Sequence, residues 1–143
     1  MFDRTSEGGR RADGIMSSAH PGSRANYRVE TIGGAAVVHV SGDIDVANAG
    51  RLGDGLRDLL GGGRPIVIDI SAVTYIDSVG LHVILRVFQR AQVVRVDAVL
   101  VAAGLSRHLV EKVGFDRIVR VVPDVAAALD AFEAKSHSAS ARG

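Results

Sequence analysis

The hydrophobic and polar positions of this chain follow two periods, which together predict a β-β-α-β-α-β-α-β-α order of elements. Apolar residues at every second position predict strands, and apolar residues spaced three and four apart predict helices. The predicted strands lie at 27–32, 35–40, 66–70, 96–102 and 118–122. The predicted helices lie at 47–60, 78–92, 105–113 and from 124 onward. Gly33-Gly34 joins the first two strands as a hairpin, and the later alternation of strands and helices is typical of parallel pairing.

One face of the predicted sheet is less apolar than the other. The middle strands carry His39, Asp69 and Asp97 on one side and only aliphatic residues on the opposite side. A sheet covered by helices on both faces would read as continuous apolar runs. We therefore predict a single α/β domain with a mixed, mostly parallel five-stranded sheet and helices mainly on one face. The three polar residues are interpreted as exposed sheet positions, since their spacing is not that of a metal site.

The helix predicted at 78–92 has a clear amphipathic pattern. Its expected core stripe is Leu81, Ile84, Leu85, Phe88 and Ala91. Its expected polar side is His82, Arg86, Gln89 and Arg90. Val83 and Val87 flank the stripe and are candidates either for contacts with a partner or for packing within the domain.

The composition divides the 143 residues into three parts. Residues 1–26 are rich in Gly, Ser, Arg and Ala and predict a disordered arm. Residues 27–135 form the predicted domain, and residues 136–143 predict a disordered tail.

Charge and composition exclude several function classes. The net charge is +1, but residues 27–134 hold 11 Lys or Arg against 13 Asp or Glu. This part has no basic stripe and few aromatic residues, so nucleic acid is not an expected partner. The absence of Cys excludes disulfides and thiol chemistry. No apolar run has the length of a membrane span and the N-terminus lacks a secretory signal, so we expect a cytoplasmic protein without membrane contact.

Polar residues with possible chemistry follow two neighbouring parallel strands. Asp43 and Asp45 follow the second strand, and Asp77 and Ser78 follow the third. Because the carboxyl ends of parallel strands meet at one edge, these residues should converge where open α/β sheets usually place their sites. Asp77 is the expected N-cap of the next helix, which places the Ser78 hydroxyl toward solvent at the positive end of the helix dipole.

Three interpretations of these residues compete. In a structural interpretation, the carboxylates only fill turns and cap a helix. In an enzymatic interpretation, Asp43-x-Asp45-Val46 resembles the nucleophile loop of haloacid-dehalogenase-type phosphotransferases, in which an Asp is phosphorylated with the help of Mg²⁺. The rest of that pattern is missing, because Lys112 and Lys135 are the only lysines and no acidic pair follows a later strand. The third interpretation is a recognition switch.

The recognition switch is favoured by a resemblance to the STAS domain, the sulfate transporter and anti-sigma factor antagonist family. The segments that carry it are Val40-Ser41-Gly42-Asp43-Ile44-Asp45, Ile66-Val67-Ile68-Asp69-Ile70-Ser71 and Ile76-Asp77-Ser78-Val79-Gly80-Leu81. The spacing resembles the family from about Tyr27 to Phe132. The resemblance implies a β-α superhelix, in agreement with the one-sided sheet.

The resemblance also implies a function, because stand-alone members are bacterial anti-anti-sigma factors. By that resemblance, Ser78 is phosphorylated by an anti-sigma factor that is itself a serine kinase, and a serine phosphatase restores it. The unphosphorylated protein binds the anti-sigma factor and frees the sigma factor. No catalysis, cofactor or metal is expected. The expected partner-binding residues are Asp43, Asp45, Asp77, Ser78, Val79, Gly80, His82, Val83 and Arg86.

Two departures from the family pattern leave the partner open. Val79 stands where Ser or Thr often follows the phosphorylated Ser, and Val93-Val94-Arg95 stands where Gly-Gly is frequent. The alternative is a STAS subunit of an ABC transporter or of another signalling complex, without phosphorylation.

Overall fold

Five strands form one sheet in the order β1-β2-β3-β4-β5. The structure, a computed structural model, describes residues 26–142, with side chains as far as residue 135. The strands are β1 Asn26–Ile32, β2 Ala35–Ile44, β3 Ile66–Ile76, β4 Ala98–Val101 and β5 Val121–Val122. Only β1 and β2 pair antiparallel, which confirms the predicted mixed sheet with its hairpin. Asn26 belongs to β1, and the rest of the predicted arm lies outside the described residues.

Four α-helices connect and follow the strands. They are α1 Ala49–Leu60, α2 Ser78–Val93, α3 Leu105–Lys112 and α4 Val125–Arg142. A short 3₁₀ helix, Phe115–Arg117, follows α3. Gly114 separates the two with a φ of +77°, a left-handed conformation in which glycine is favoured.

The core lies in two layers of unequal size. Three helices, α1, α2 and α3, pack against the face that carries Val38, Ile68 and Leu100. Among the helices that the structure describes, only α4 covers the opposite face, where Ala128 packs with Val37, Val67, Val99, Val101 and Val122. This arrangement confirms that the helices lie mainly on one face.

The part of the sheet beside α4 carries a histidine that lies between two carboxylates. His39 Nδ1 lies 3.0 Å from Asp69 Oδ2, and His39 Nε2 lies 2.6 Å from Glu30 Oε1. The predicted exposure of His39 and Asp69 is wrong, because their side chains are only 23% and 14% exposed. The paired carboxylates compensate for the partial burial of these polar groups.

The buried face of α2 is wider than predicted. Val87 is fully buried together with Ile84, Phe88 and Ala91, and Val83 is half-buried against the same core. The cause is the close approach of α1, because a Cβ built at Gly53 would lie 2.6 Å from Val83 Cγ1. Both valines therefore pack within the domain. Val87 has no exposed surface for a partner, while contact of the half-buried Val83 with a partner stays a prediction.

The two central strands run farther than their sequence pattern indicates. β2 continues to Ile44 and β3 to Ile76, six residues beyond the predicted end at Ile70. The register between them shifts once between His39 and Ser41 and again between Gly42 and Asp43. Such bulges break the strict alternation of side chains, which is the signal that identifies a strand in a sequence.

The fifth strand and the end of the chain also differ from the prediction. β5 comprises only two residues, because Phe115–Arg117 form a helical turn whose Phe115 carbonyl accepts hydrogen bonds from Ile118 and Val119. The backbone of α4 is helical through residues 136–142 rather than ending at a disordered tail. No Gly or Pro interrupts residues 125–142, and alanine, the strongest helix former, is frequent there.

Position 80 offers a test of how tightly α2 packs on the sheet. We expect Gly80→Ala to lower the free energy of unfolding by about 1–2 kcal/mol, since the added methyl overlaps buried atoms although alanine favours helices. A Cβ there would lie 2.8 Å from Ile44 Cγ2 and 2.9 Å from Ile76 Cγ1. Urea unfolding measures the change.

The matched control is Gly50→Ala, where nothing lies within 4 Å of the built Cβ. We expect it to leave stability unchanged or to raise it by up to about 1 kcal/mol. Equal effects of the two substitutions would contradict the close packing at Gly80.

Candidate functional site

The ends of β2 and β3 meet at the carboxyl edge of the sheet. Asp43 pairs with Tyr75 and Ile44 with Ile76, and the Asp77 amide donates to the Ile44 carbonyl over 3.1 Å. The segments that hold Asp43, Asp45, Asp77 and Ser78 are therefore direct neighbours. Their positions agree with the sequence analysis, while their part in binding remains a prediction.

Two of the three carboxylates organise the loop that leaves β2. Asp43 Oδ1 accepts a hydrogen bond of 2.6 Å from the Thr74 hydroxyl of β3. Asp45 Oδ1 accepts from the Ala47 amide over 2.9 Å and thereby closes a tight turn. Each carboxylate thus has a local structural partner at the edge.

Asn48 holds the same loop from inside, a role that the sequence analysis missed. Its side chain is buried, its Nδ2 donates to the Asp43 carbonyl over 2.9 Å, and its Oδ1 accepts from the Asp45 amide over 3.1 Å. Asn directly before a helix is an ordinary N-cap signal. Here its side chain turns back toward β2 instead of capping α1.

Asp77 caps α2 as predicted. Its Oδ1 accepts a hydrogen bond from the Gly80 amide over 2.9 Å, which satisfies one of the free amides of the first turn. Ser78 is the first residue of the helix and is exposed. Its hydroxyl forms no hydrogen bond with the residues that the structure describes.

The other predicted partner-binding residues separate into two groups. Val79, His82 and Arg86 are exposed on the outer side of α2. Arg86 lies about 12 Å along the helix axis from Ser78, at 1.5 Å per residue. Gly80 is buried where α2 packs against Ile44 and Ile76, and Val83 is half-buried against α1. Both contribute to the packing of the domain, and their part in partner binding stays a prediction.

Four large apolar side chains are exposed on the segments that form this edge. Val46 is 74% exposed, Tyr75 53%, Val79 43% and Leu105 56%. Tyr75 lies at the end of β3, while the other three lie on the segments that follow β2, β3 and β4. We call these four residues the apolar rim. Only Val79 was predicted, because single apolar residues in loops have no periodicity and are common on protein surfaces. Their clustering at one edge is what indicates a contact surface.

Metal and membrane sites were also sought in the described part of the chain. Residues 26–135 contain no group of three or more His, Asp or Glu side chains arranged to hold a metal ion. Among the helices of the described region, none is long and apolar enough to cross a membrane.

The cap of α2 can be tested by substitution. We expect Asp77→Ala to lower the free energy of unfolding by about 1 kcal/mol, because the Gly80 amide loses its acceptor. Asp77→Asn is the matched control, since its amide oxygen can still accept this bond and should retain most of the stability. Urea unfolding of both variants measures the difference, and equal losses would show that the carboxylate acts through its charge alone.

The fold of this chain is similar to those of several solved structures. An anti-sigma factor antagonist from Mycobacterium paratuberculosis is 28% identical, with a TM-score of 0.67 over 80% of this chain and 97% of that chain. A candidate anti-sigma factor antagonist from Thermotoga maritima is 20% identical, with a TM-score of 0.66 over 73% of this chain and 92% of that chain.

The fold is also shared with SpoIIAA of Bacillus, an anti-sigma factor antagonist solved in two states. Its unphosphorylated form is 14% identical, with a TM-score of 0.57 over 75% of this chain and 97% of that chain. Its phosphorylated form is also 14% identical, with a TM-score of 0.56 over 74% of this chain and 98% of that chain.

The model of the STAS domain family matches residues 26–128, from the first residue of β1 into α4. This range includes all five strands and the whole of the carboxyl edge. The chain belongs to the STAS domain family.

Proposed function

We propose that this protein is an anti-sigma factor antagonist that binds its anti-sigma factor through the edge around Ser78. Phosphorylation of Ser78 switches that binding off. The observation that carries the proposal is the exposed Ser78 hydroxyl at the first position of α2, at the same edge of the sheet as the apolar rim. An accessible acceptor surrounded by apolar contacts is suited to a binding surface that a modification can block.

The helix start can accept a phosphate without loss of structure. A phosphoserine adds about −1.5 to −2 charges, and the N-terminus of a helix favours negative charge. Modification of Ser78 breaks no hydrogen bond within the described residues, because its hydroxyl makes none there. The domain should therefore keep its fold when Ser78 is phosphorylated.

The phosphate should weaken the complex with the anti-sigma factor rather than the fold of the domain. The apolar rim would be covered by apolar groups of the partner, and a hydrated dianion at the same edge would have to be desolvated. Asp43, Asp45 and Asp77 add negative charge around the same position. Repulsion and desolvation together should dissociate the partner, so the switch acts by blocking the interface.

The comparisons support this mechanism in two ways. The antagonist from Mycobacterium paratuberculosis matches over nearly its full length, so the likeness includes the whole domain. The two forms of SpoIIAA match the fold of this chain equally well, as expected where a modification leaves the fold in place. The proposed partners are an anti-sigma factor with serine kinase activity and a separate serine phosphatase, and the protein itself has no catalytic role.

Phosphate transfer to Ser78 is the first test. We expect incubation with the cognate anti-sigma kinase and labelled ATP to label the wild-type protein and not Ser78→Ala, because Ser78 is the proposed acceptor. Intact-mass and peptide mass spectrometry locate the phosphate. Absence of labelling with every candidate kinase, together with capture of a transporter ATPase, would favour the transporter alternative.

Binding of the same anti-sigma factor gives a second test of Ser78. We expect Ser78→Ala to bind like the unphosphorylated protein and Ser78→Asp to bind about tenfold more weakly or worse. Gln89→Asp adds the same charge at an exposed position three turns along α2 and should change the affinity little. Calorimetry measures the three affinities, and equal weakening by both acidic substitutions would contradict a local effect.

The apolar rim can be tested independently of phosphorylation. We expect Val46→Asp to weaken binding to the anti-sigma factor by about tenfold or more, because it places a charge in a desolvated contact. Val93→Asp is the matched control, since Val93 is 69% exposed but lies at the far end of α2. Thermal unfolding should show that both variants are folded, and equal affinities would exclude the rim from the interface.

A further inference from the structure

Two neighbouring cavities lie at the opposite edge of the sheet, where β4 begins. One, of about 360 Å³, lies between the sheet and α4 and is lined on its apolar side by Val99, Ala131, Phe132 and Ala134. The other, of about 250 Å³, lies between the second half of α2 and residues 118–120, which follow the 3₁₀ helix. They share Asp97, Ala98, Arg120 and Lys135, so these four residues form a common entrance.

The entrance exists because β5 is too short to cover β4. Pairing with β5 begins at Leu100, whose amide donates to the Arg120 carbonyl over 2.9 Å. Ala98 lies two residues earlier on the same side of β4 and has no β5 residue opposite it. Its backbone N–H and C=O therefore face the gap and can bind a polar group.

The charge at this entrance is positive. Lys135 Nζ lies 2.5 Å from Asp97 Oδ1, so this pair is internally balanced. Arg120 is exposed and forms no ion pair with the part of the chain that the structure describes. One guanidinium thus remains available beside an apolar cavity, and guanidinium groups bind carboxylates with matching geometry.

We propose that this cavity binds a small carboxylate with an aliphatic chain. The carboxylate accepts hydrogen bonds from the Arg120 guanidinium and the open Ala98 N–H, and the chain lies against Val99 and Phe132. The volume is at the lower end of the roughly 300–1,000 Å³ typical of ligand sites, which excludes large ligands. The site is at the amino edge of the parallel strands and shares no residue with the Ser78 edge, so it is independent of the proposed partner binding.

Hexanoate is a suitable probe and is added to the full-length protein alone. We expect it to shift the backbone amide signals of residues 97–99 and 131–135 in two-dimensional NMR titrations, in a saturable manner. Arg120→Gln should raise the dissociation constant by at least about tenfold, because it removes the charged partner of the carboxylate. Arg117→Gln, a matched exposed arginine outside the cavity, should leave it unchanged.

Acetate and hexan-1-ol separate the contributions of the carboxylate and of the alkyl chain of hexanoate. Each should bind at least about tenfold more weakly than hexanoate, since each lacks one of the two contacts. The proposal is overturned if hexanoate shifts none of these amides, if Arg120→Gln binds it like the wild type, or if hexylamine binds equally well. Because no partner protein is present, these outcomes do not depend on the function of the Ser78 edge.

Discussion

The first turn of α2 lies directly against the ends of β2 and β3, and position 80 has no room for a side chain. Ile44 and Ile76 occupy the space that a Cβ atom would need. The same contact brings the Asp77 amide to the Ile44 carbonyl and allows the Asp77 carboxylate to cap the helix. With the buried side of this turn fixed by Gly80, Ser78 lies on the exposed side. The packing of a glycine thus determines how the hydroxyl is presented.

This edge combines a rigid interior with an adaptable surface. Asn48, Thr74 and the three carboxylates form hydrogen bonds within the domain, so the loop after β2 is held without a partner. The apolar rim and the Ser78 hydroxyl have no such role in the fold. Under the proposed function, a phosphate would therefore change what the edge can bind while leaving its structure unaltered.

Much of the fold could be predicted from the sequence because its signals are local. The cap at Asp77, the hairpin at Gly33-Gly34 and the one-sided sheet all follow from short patterns. The burial of Val87 could not be predicted, because it depends on how closely α1 approaches at Gly53. Val46, Tyr75 and Leu105 come from three separate segments, so only the folded chain shows that they share an edge with Ser78.

Under the proposed function, phosphorylation of Ser78 blocks an interface without refolding the domain. The most direct measurement compares backbone amide NMR spectra of the phosphorylated and unphosphorylated protein, together with their affinities for the anti-sigma factor. We expect lost affinity with shifts confined to residues 43–46, 74–82 and the start of α3. Large shifts in α1, β1 or α4 that accompany dissociation would contradict this expectation, because they would show that the phosphate acts by rearranging the fold.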